Sequence, residues 1–281
     1  MNTFSEYTFT SQDGLTLYYR TYGPQCSHQV AVLCLPGLTR NADDFHDFAE
    51  RLGRSRRVIS LDYRGRGRSS YDPNPINYRP RTYLDDIRHL LAIVGVHRVI
   101  VVGTSMGGLL AMGLGVTIPS TLSGVILNDI GPELGNGISR IFSYAGIDRP
   151  MPDWKHATLE FQRVFKNTIF QTDDDMNKAI RATWREGMDG MLHVNWDTRL
   201  VEPLITREPL PDLWKLFRSL RRLPVLALRG QISEILNPQT LHRMAAEHDN
   251  FTHVEVERTG HAPSLNESES IEAINDFLKF F

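Results

Sequence analysis

Val99-Ile-Val-Val-Gly-Thr-Ser-Met-Gly-Gly-Leu-Leu-Ala-Met112 decides how the rest of the chain is read. Its first four residues form an unbroken β-branched run of the kind that fills a strand buried on both faces. Its second half, from Met106, is small and apolar, as a packed helix is. Between them Gly103-Thr104-Ser105-Met106-Gly107 matches G-x-S-x-G, in which a serine is forced into a sharp strand-to-helix turn. Glycines on both sides keep neighbouring backbones from colliding. The hydroxyl then stands at the sheet edge, and the Met106 amide and the positive end of the helix face any negative charge formed beside Ser105. Such a turn is built for attack on a carbonyl.

Outward from this stretch, the chain repeats strand, loop and helix. Tyr7-Thr-Phe-Thr and Leu15-Thr-Leu-Tyr-Tyr alternate around Asp13-Gly14 and predict an antiparallel hairpin. Apolar runs Gln29 to Leu35, Arg57 to Leu61, Arg98 to Val102 and Leu122 to Asn128 then alternate with helical stretches Ala42 to Leu52, Arg81 to Val94 and Met106 to Thr117. Successive βα units demand parallel strands with helices on both faces. After Asp129-Ile-Gly-Pro132 the rhythm breaks. Glu133 to about Pro209 holds no good strand but several helix-like stretches, including Trp154 to Phe165 and Asp173 to Glu186. Alternation resumes with a helix through Leu220, a strand Pro224 to Leu228, a helix Pro238 to Glu247, a strand Phe251 to Val256 and a helix Ser268 to Phe280. The fold class is therefore α/β, a doubly wound, mostly parallel eight-stranded sheet. Residues 1–132 form the first part of the core, 133–209 an inserted helical cap and 210–281 the second part of the core.

The 281 residues carry 31 Lys and Arg against 33 Asp and Glu, a net charge of -2, so no global field recruits nucleic acid or an anionic membrane. The basic clusters Arg51 to Arg57 and Arg218 to Arg222 precede strands and read as solvated loops. Tyr63-Arg-Gly-Arg-Gly-Arg-Ser69 superficially resembles an RNA-binding RGG tract, but it is one short loop between folded segments. The start of the chain lacks a basic, apolar leader, and nowhere do about 18 apolar residues run together, so a cytoplasmic location is expected. Cys26 and Cys34 are too few for a disulfide framework, and no metal-binding motif occurs. Neither cofactor nor metal is expected, and the partner expected is a small molecule rather than nucleic acid or a membrane.

A serine hydroxyl needs a base, most often a histidine held by a carboxylate. Of the ten histidines only His261 lies in a loop directly after a strand, at Glu257-Arg-Thr-Gly-His-Ala-Pro263, and thus at the same sheet edge as Ser105. A carboxylate at that edge, between serine and histidine in chain order, is either Glu234, after the Pro224 to Leu228 strand, or Asp129, after the Leu122 to Asn128 strand. Glu234 is favoured, and Asp129, in turn-rich Asn128-Asp-Ile-Gly-Pro132, is its rival. The oxyanion needs two backbone donors. Met106 is one, and because Pro36 has no N–H, Leu38 is the natural second.

The elbow, Leu35-Pro-Gly-Leu38, Asp62-Tyr-Arg-Gly-Arg-Gly-Arg-Ser69 and Gly260-His-Ala-Pro263 together resemble the α/β-hydrolase fold superfamily over essentially the whole chain, most closely its bacterial esterase, lipase and carbon–carbon hydrolase group. The resemblance implies Ser105 as nucleophile, His261 as base, Glu234 as acid and the Leu38 and Met106 amides as oxyanion hole. Two departures stand out. Pro36-Gly37 replaces the His-Gly of many relatives and removes a side chain that braces the oxyanion loop. Glu234 stands where Asp is usual, which keeps Asp129 in contention. The activity implied is hydrolysis of carboxylic esters of small to medium apolar substrates through an acyl-enzyme. Carbon–carbon hydrolysis of a diketone on the same residues and a catalytically silent ligand-binding protein are the alternatives. Phe142, Tyr144, Met151, Trp154, Phe161, Trp184 and Met188 in the cap are candidates for an apolar pocket, Phe142, Tyr144, Trp154 and Trp184 foremost.

Overall fold

The computed structural model describes residues 3–165, 172–205 and 211–281. In chain order the core runs β1 (Phe4–Thr10), β2 (Thr16–Tyr22), β3 (Ala31–Leu35), α1 (His46–Leu52), β4 (Val58–Leu61), α2 (Pro80–Ile93), β5 (Val99–Thr104), α3 (Met106–Thr117) and β6 (Leu122–Asn128). A helical insert follows, with α4 (Ile138–Ala145), α5 (Trp154–Val164), α6 (Asp173–Thr183), β7 (Trp184–Glu186), β8 (Leu192–Val194) and α7 (Glu202–Ile205). The core resumes with α8 (Leu213–Arg218), β9 (Val225–Gly230), α9 (Pro238–Glu247), β10 (Phe251–Val256) and α10 (Ser268–Leu278).

Eight strands form one sheet in the order β1-β2-β4-β3-β5-β6-β9-β10. β2 pairs antiparallel with β1 and β4, and the remaining pairings are parallel. This is the doubly wound, mostly parallel sheet that the apolar runs predict. Alternation explains the two layers. In β5, Val99 and Val101 face a core completed by α2, α3, α8 and α9, while Ile100 and Val102 face one completed by α1 and α10. With both faces covered, every residue from Val99 to Val102 is buried.

The insert departs from expectation at one place. The helix expected over Asp173 to Glu186 stops at Thr183, and Trp184–Glu186 pairs antiparallel with Leu192–Val194. Three-residue strands are too short to show a period of two, and the turn between them is closed by Gly190 at φ +76°. The expected boundary at 209 and 210 lies outside the described residues. No helix among the described residues is long and apolar enough to cross a membrane.

Candidate active site

The elbow is as tight as its sequence requires. Ser105 sits at φ +52°, ψ −118°, a conformation that costs a side-chain-bearing residue on the order of 1–3 kcal/mol and is held by its surroundings. The Ser105 amide donates to the Asn128 carbonyl of β6 at 3.0 Å, and its carbonyl accepts from the Gly108 amide at 2.9 Å. A Cβ on Gly107 would run into the Leu35 carbonyl of β3, so only glycine lets α3 start this close to the sheet.

Ser105 and His261 line one cavity of about 790 Å³ between the C-terminal edge of the sheet and the insert. The His261 Nδ1 lies 2.7 Å from Asp129 Oδ2. Asp129 is completely buried, whereas the His261 side chain is 19% exposed. Asp129 continues β6 by donating its amide to Leu228, and then turns at φ +54°, one of few non-glycine positions in the left-handed region among the described residues. Its Oδ1 accepts from the Gly230 amide at 2.9 Å, and its Oδ2 also accepts from Ser233 Oγ at 2.5 Å. A buried carboxylate with this many donors has its oxygens satisfied and is fixed in place.

Asp129 and not Glu234, the residue favoured from sequence, therefore meets the imidazole. The reason lies in the loop after β9. Ser233 Oγ accepts from the Ile235 amide at 3.0 Å, an ST-type turn that points residue 233 inward. Its neighbour is carried outward. Glu234 is 48% exposed and pairs with Arg140 of α4 at 2.7 Å on the cavity lining. Sequence reasoning missed Ser233 altogether. It also missed Asn128, whose Nδ2 donates to Thr104 Oγ1 at 3.0 Å and to the Pro263 carbonyl at 2.9 Å, tying the serine strand to the histidine loop.

Leu38 lines the cavity beside Ser105, and among the described residues the amides of Leu38 and Met106 have no acceptor of their own. Arg66 Nε donates to the Leu38 carbonyl at 2.9 Å, and its guanidinium is fully buried among Tyr63, Tyr78 and Tyr83. Arg64 is also buried and donates to Asp13, Asp72 and Asp86, holding Asp13 down at about 2. Two arginines of the RGG-like loop are thus structural. On the insert side Asn41 Nδ2 donates to Ala182 at 2.9 Å and Arg40 Nη1 to Thr183 Oγ1 at 2.5 Å.

Of the four aromatic residues put foremost for the pocket, Tyr144 lines the cavity. Trp184 is buried in the core, and Phe142 and Trp154 pack against it at their half-buried positions. Phe161, also expected, lines the cavity as well, whereas Met151 and Met188 do not, and the remaining apolar lining from the insert comes from Ile141, Ile147, Val164 and Phe165. Composition names aromatic residues but not the direction they face. His46, Asp47 and Glu50, on α1, are the one group among the described residues with three ligand-type atoms within 4.8 Å of one another, and His46 Nδ1 is already 3.1 Å from Tyr22 Oη.

Residues 32–277 match the family described as "Alpha/beta hydrolase family". The chain is 31% identical over 259 residues to a 3-hydroxybutyrate-oligomer hydrolase of Cupriavidus necator, covering 88% of this chain and 87% of that one. It is 26% identical to an N-formylmaleamate deformylase of Pseudomonas putida, covering 99% and 98%. The crystal structure of an alpha/beta hydrolase from Novosphingobium aromaticivorans superimposes with a TM-score of 0.93 at 38% identity over the whole of both chains. Fold, elbow and full-length likeness agree, and the chain belongs to the alpha/beta hydrolase family.

Proposed function

We propose that the protein is a serine hydrolase that cleaves carboxylic esters through an acyl-enzyme. The observation that carries this reading is the 2.7 Å contact of the buried Asp129 with His261, which lines the same cavity as Ser105. In this reading Ser105 Oγ attacks the ester carbonyl while His261 Nε2 takes its proton. Asp129 fixes the imidazole with its proton on Nδ1 and stabilises the imidazolium that forms. The Leu38 and Met106 amides receive the oxyanion, and the dipole of α3 adds to them. His261 then protonates the leaving alcohol, and water attacks the acyl-enzyme by the same steps in reverse. Residues 133–209 act as the cap whose apolar side chains shelter the acyl or alcohol group. The oligoester named in the Cupriavidus relative's description fits this chemistry.

A fluorophosphonate probe is expected to label the protein at Ser105, with labelling abolished in Ser105→Ala. Nitrophenyl esters are expected to be turned over by the wild type alone. An unlabelled Ser105 and no ester turnover defeat the reading in favour of a silent ligand-binding protein, and turnover of a vinylogous diketone in place of esters defeats it in favour of carbon–carbon hydrolysis.

A further inference from the structure

Among the described residues, two buried polar side-chain atoms without a partner belong to residues that line the cavity, Asn128 Oδ1 and Tyr144 Oη. They differ in kind. Asn128 already spends its amide nitrogen on Thr104 and Pro263. Among the described residues the Tyr144 hydroxyl has no partner at all. Its ring is fixed on α4 by Phe165 at 5.9 Å and Trp196 at 5.4 Å between centroids, contacts that phenylalanine would make equally well. A buried hydroxyl with no partner costs on the order of 1–3 kcal/mol, so in the free protein the oxygen is a liability without a structural return. Burial pushes the phenol's ionisation far above its ordinary value, which keeps the O–H a donor at any working pH.

Arg40 supplies the second half of the observation. Its Nε and Nη2 are taken by Asp44 and Ala179 and its Nη1 by Thr183 Oγ1, which leaves one Nη1 hydrogen of the five N–H groups on a side chain that lines the cavity. Its charge acts on Tyr144 together with those of Arg163 and Arg149 and against that of Glu160. Alongside the apolar Ile141, Val164 and Phe165, the insert lines the cavity with Arg140, Ser143, Arg149 and Arg163, and at Tyr144 it offers a hydroxyl hydrogen with no acceptor among the described residues. An electron-rich oxygen answers it, a hydrophobic chain does not.

We propose that Tyr144 is a specificity-determining residue whose hydroxyl donates to a second oxygen function of the substrate, beyond the scissile carbonyl, so that the preferred substrates are esters carrying an acyloxy or carboxylate group rather than plain alkyl esters. This rests on reading the cavity as an ester-hydrolase site. A site that must hydrogen-bond its substrate discriminates against the analogue lacking the group more sharply than an apolar pocket discriminates by size, because the unmet donor stays buried.

The test compares three p-nitrophenyl esters of similar length, hexanoate, 3-acetoxybutyrate and the adipate half-ester, in wild type and Tyr144→Phe. The wild type is expected to favour at least one oxygen-bearing ester over hexanoate by about 10-fold or more in kcat/KM. The choice between the neutral and the anionic ester identifies which oxygen the site takes. Tyr144→Phe is expected to erase that advantage, bringing the favoured ester to within about 2-fold of hexanoate in kcat/KM, and to leave Tm unchanged or raised, since an unpaired hydroxyl is removed. Equal wild-type rates on all three esters overturn the proposal, as does a Tyr144→Phe variant that loses activity on all three alike or melts several degrees lower. Absence of all ester turnover, with Ser105 unreactive toward fluorophosphonate, overturns instead the functional reading on which the proposal stands.

Discussion

Two carboxylate–histidine pairs in this molecule have nearly the same hydrogen bond and little else in common. His261 Nδ1 meets Asp129 at 2.7 Å on the core, and His193 Nδ1 meets Asp148 at 2.6 Å on the insert. Asp129 is sealed from water and receives Gly230 and Ser233 besides the imidazole. Asp148 is 34% exposed, and Asp189 takes the other nitrogen of His193 at 3.0 Å. With both ring nitrogens facing carboxylates, His193 has no nitrogen left to act as a base toward a substrate. Among the described residues His261 keeps Nε2 without a partner, and it lines the cavity of Ser105. A short bond alone therefore does not distinguish the two pairs. They differ in that Asp129 is a single carboxylate fixed from behind by its own donors, which leaves the second nitrogen of His261 unspent.

The hardest test of that contrast is Asp129→Asn, expected to lower kcat on a nitrophenyl ester by about 10³- to 10⁴-fold through loss of the imidazole orientation, while Glu234→Gln stays within about 3-fold of wild type. Reversal of these two results in steady-state assays would return the acid's role to Glu234. Next in size is Ser233→Ala. It removes one donor from Asp129 and the side-chain acceptor of the loop, so kcat should fall about 10-fold with KM held, at a stability cost of about 1–3 kcal/mol measured by urea unfolding. Ser233→Thr, which keeps the hydroxyl, should recover most of the loss. Equal rises in KM would indicate a merely structural role.

The smallest effect belongs to the exposed pair. Hydrogen bonds donated by the imidazole to Asp148 and Asp189 raise the His193 pKa in the folded protein. A raised histidine pKa gives stability that is fully present below the unfolded value, near 6.5, and is lost as pH rises through the folded value. His193→Gln should therefore melt about 1–2 °C below wild type at pH 6, with the gap closing by pH 9, because solvent screens so exposed a pair. Activity should not change. A stability gap that widens with pH, or lost activity, would make this pair more like the buried one than its exposure allows.

How much of the fold and site is legible in the chain follows from where each signal lives. Val99 to Val102 reads as a strand covered on both faces, and Gly103-Thr-Ser-Met-Gly107 between strand and helix puts Ser105 in its turn; both are local patterns. His261 emerges from topology, as the histidine directly after a strand at the matching edge. The carboxylate that meets His261 is not separable in this way, because β6 and β9 are adjacent and parallel, with Asn128 beside Leu228, and each ends in a carboxylate-bearing loop. Which carboxylate turns inward depends on the backbone of Asp129 and the turn made by Ser233, neither of which has a hydrophobic period.

The insert is the least legible region for the same reason. Trp184, Trp154 and Phe142 are aromatic like Tyr144, but Trp184 packs on Phe161 and Trp154 under Arg181, and of the four only Tyr144 lines the cavity. The layered sheet, the serine elbow and the histidine follow from the order of residues alone, because burial periodicity and turn sterics act between positions near in the chain. That Asp129 meets His261, that Arg66 braces Leu38 and that the Tyr144 hydroxyl is left without a partner follow only from the packed fold. Each depends on which distant segments the core brings within a hydrogen bond of one another.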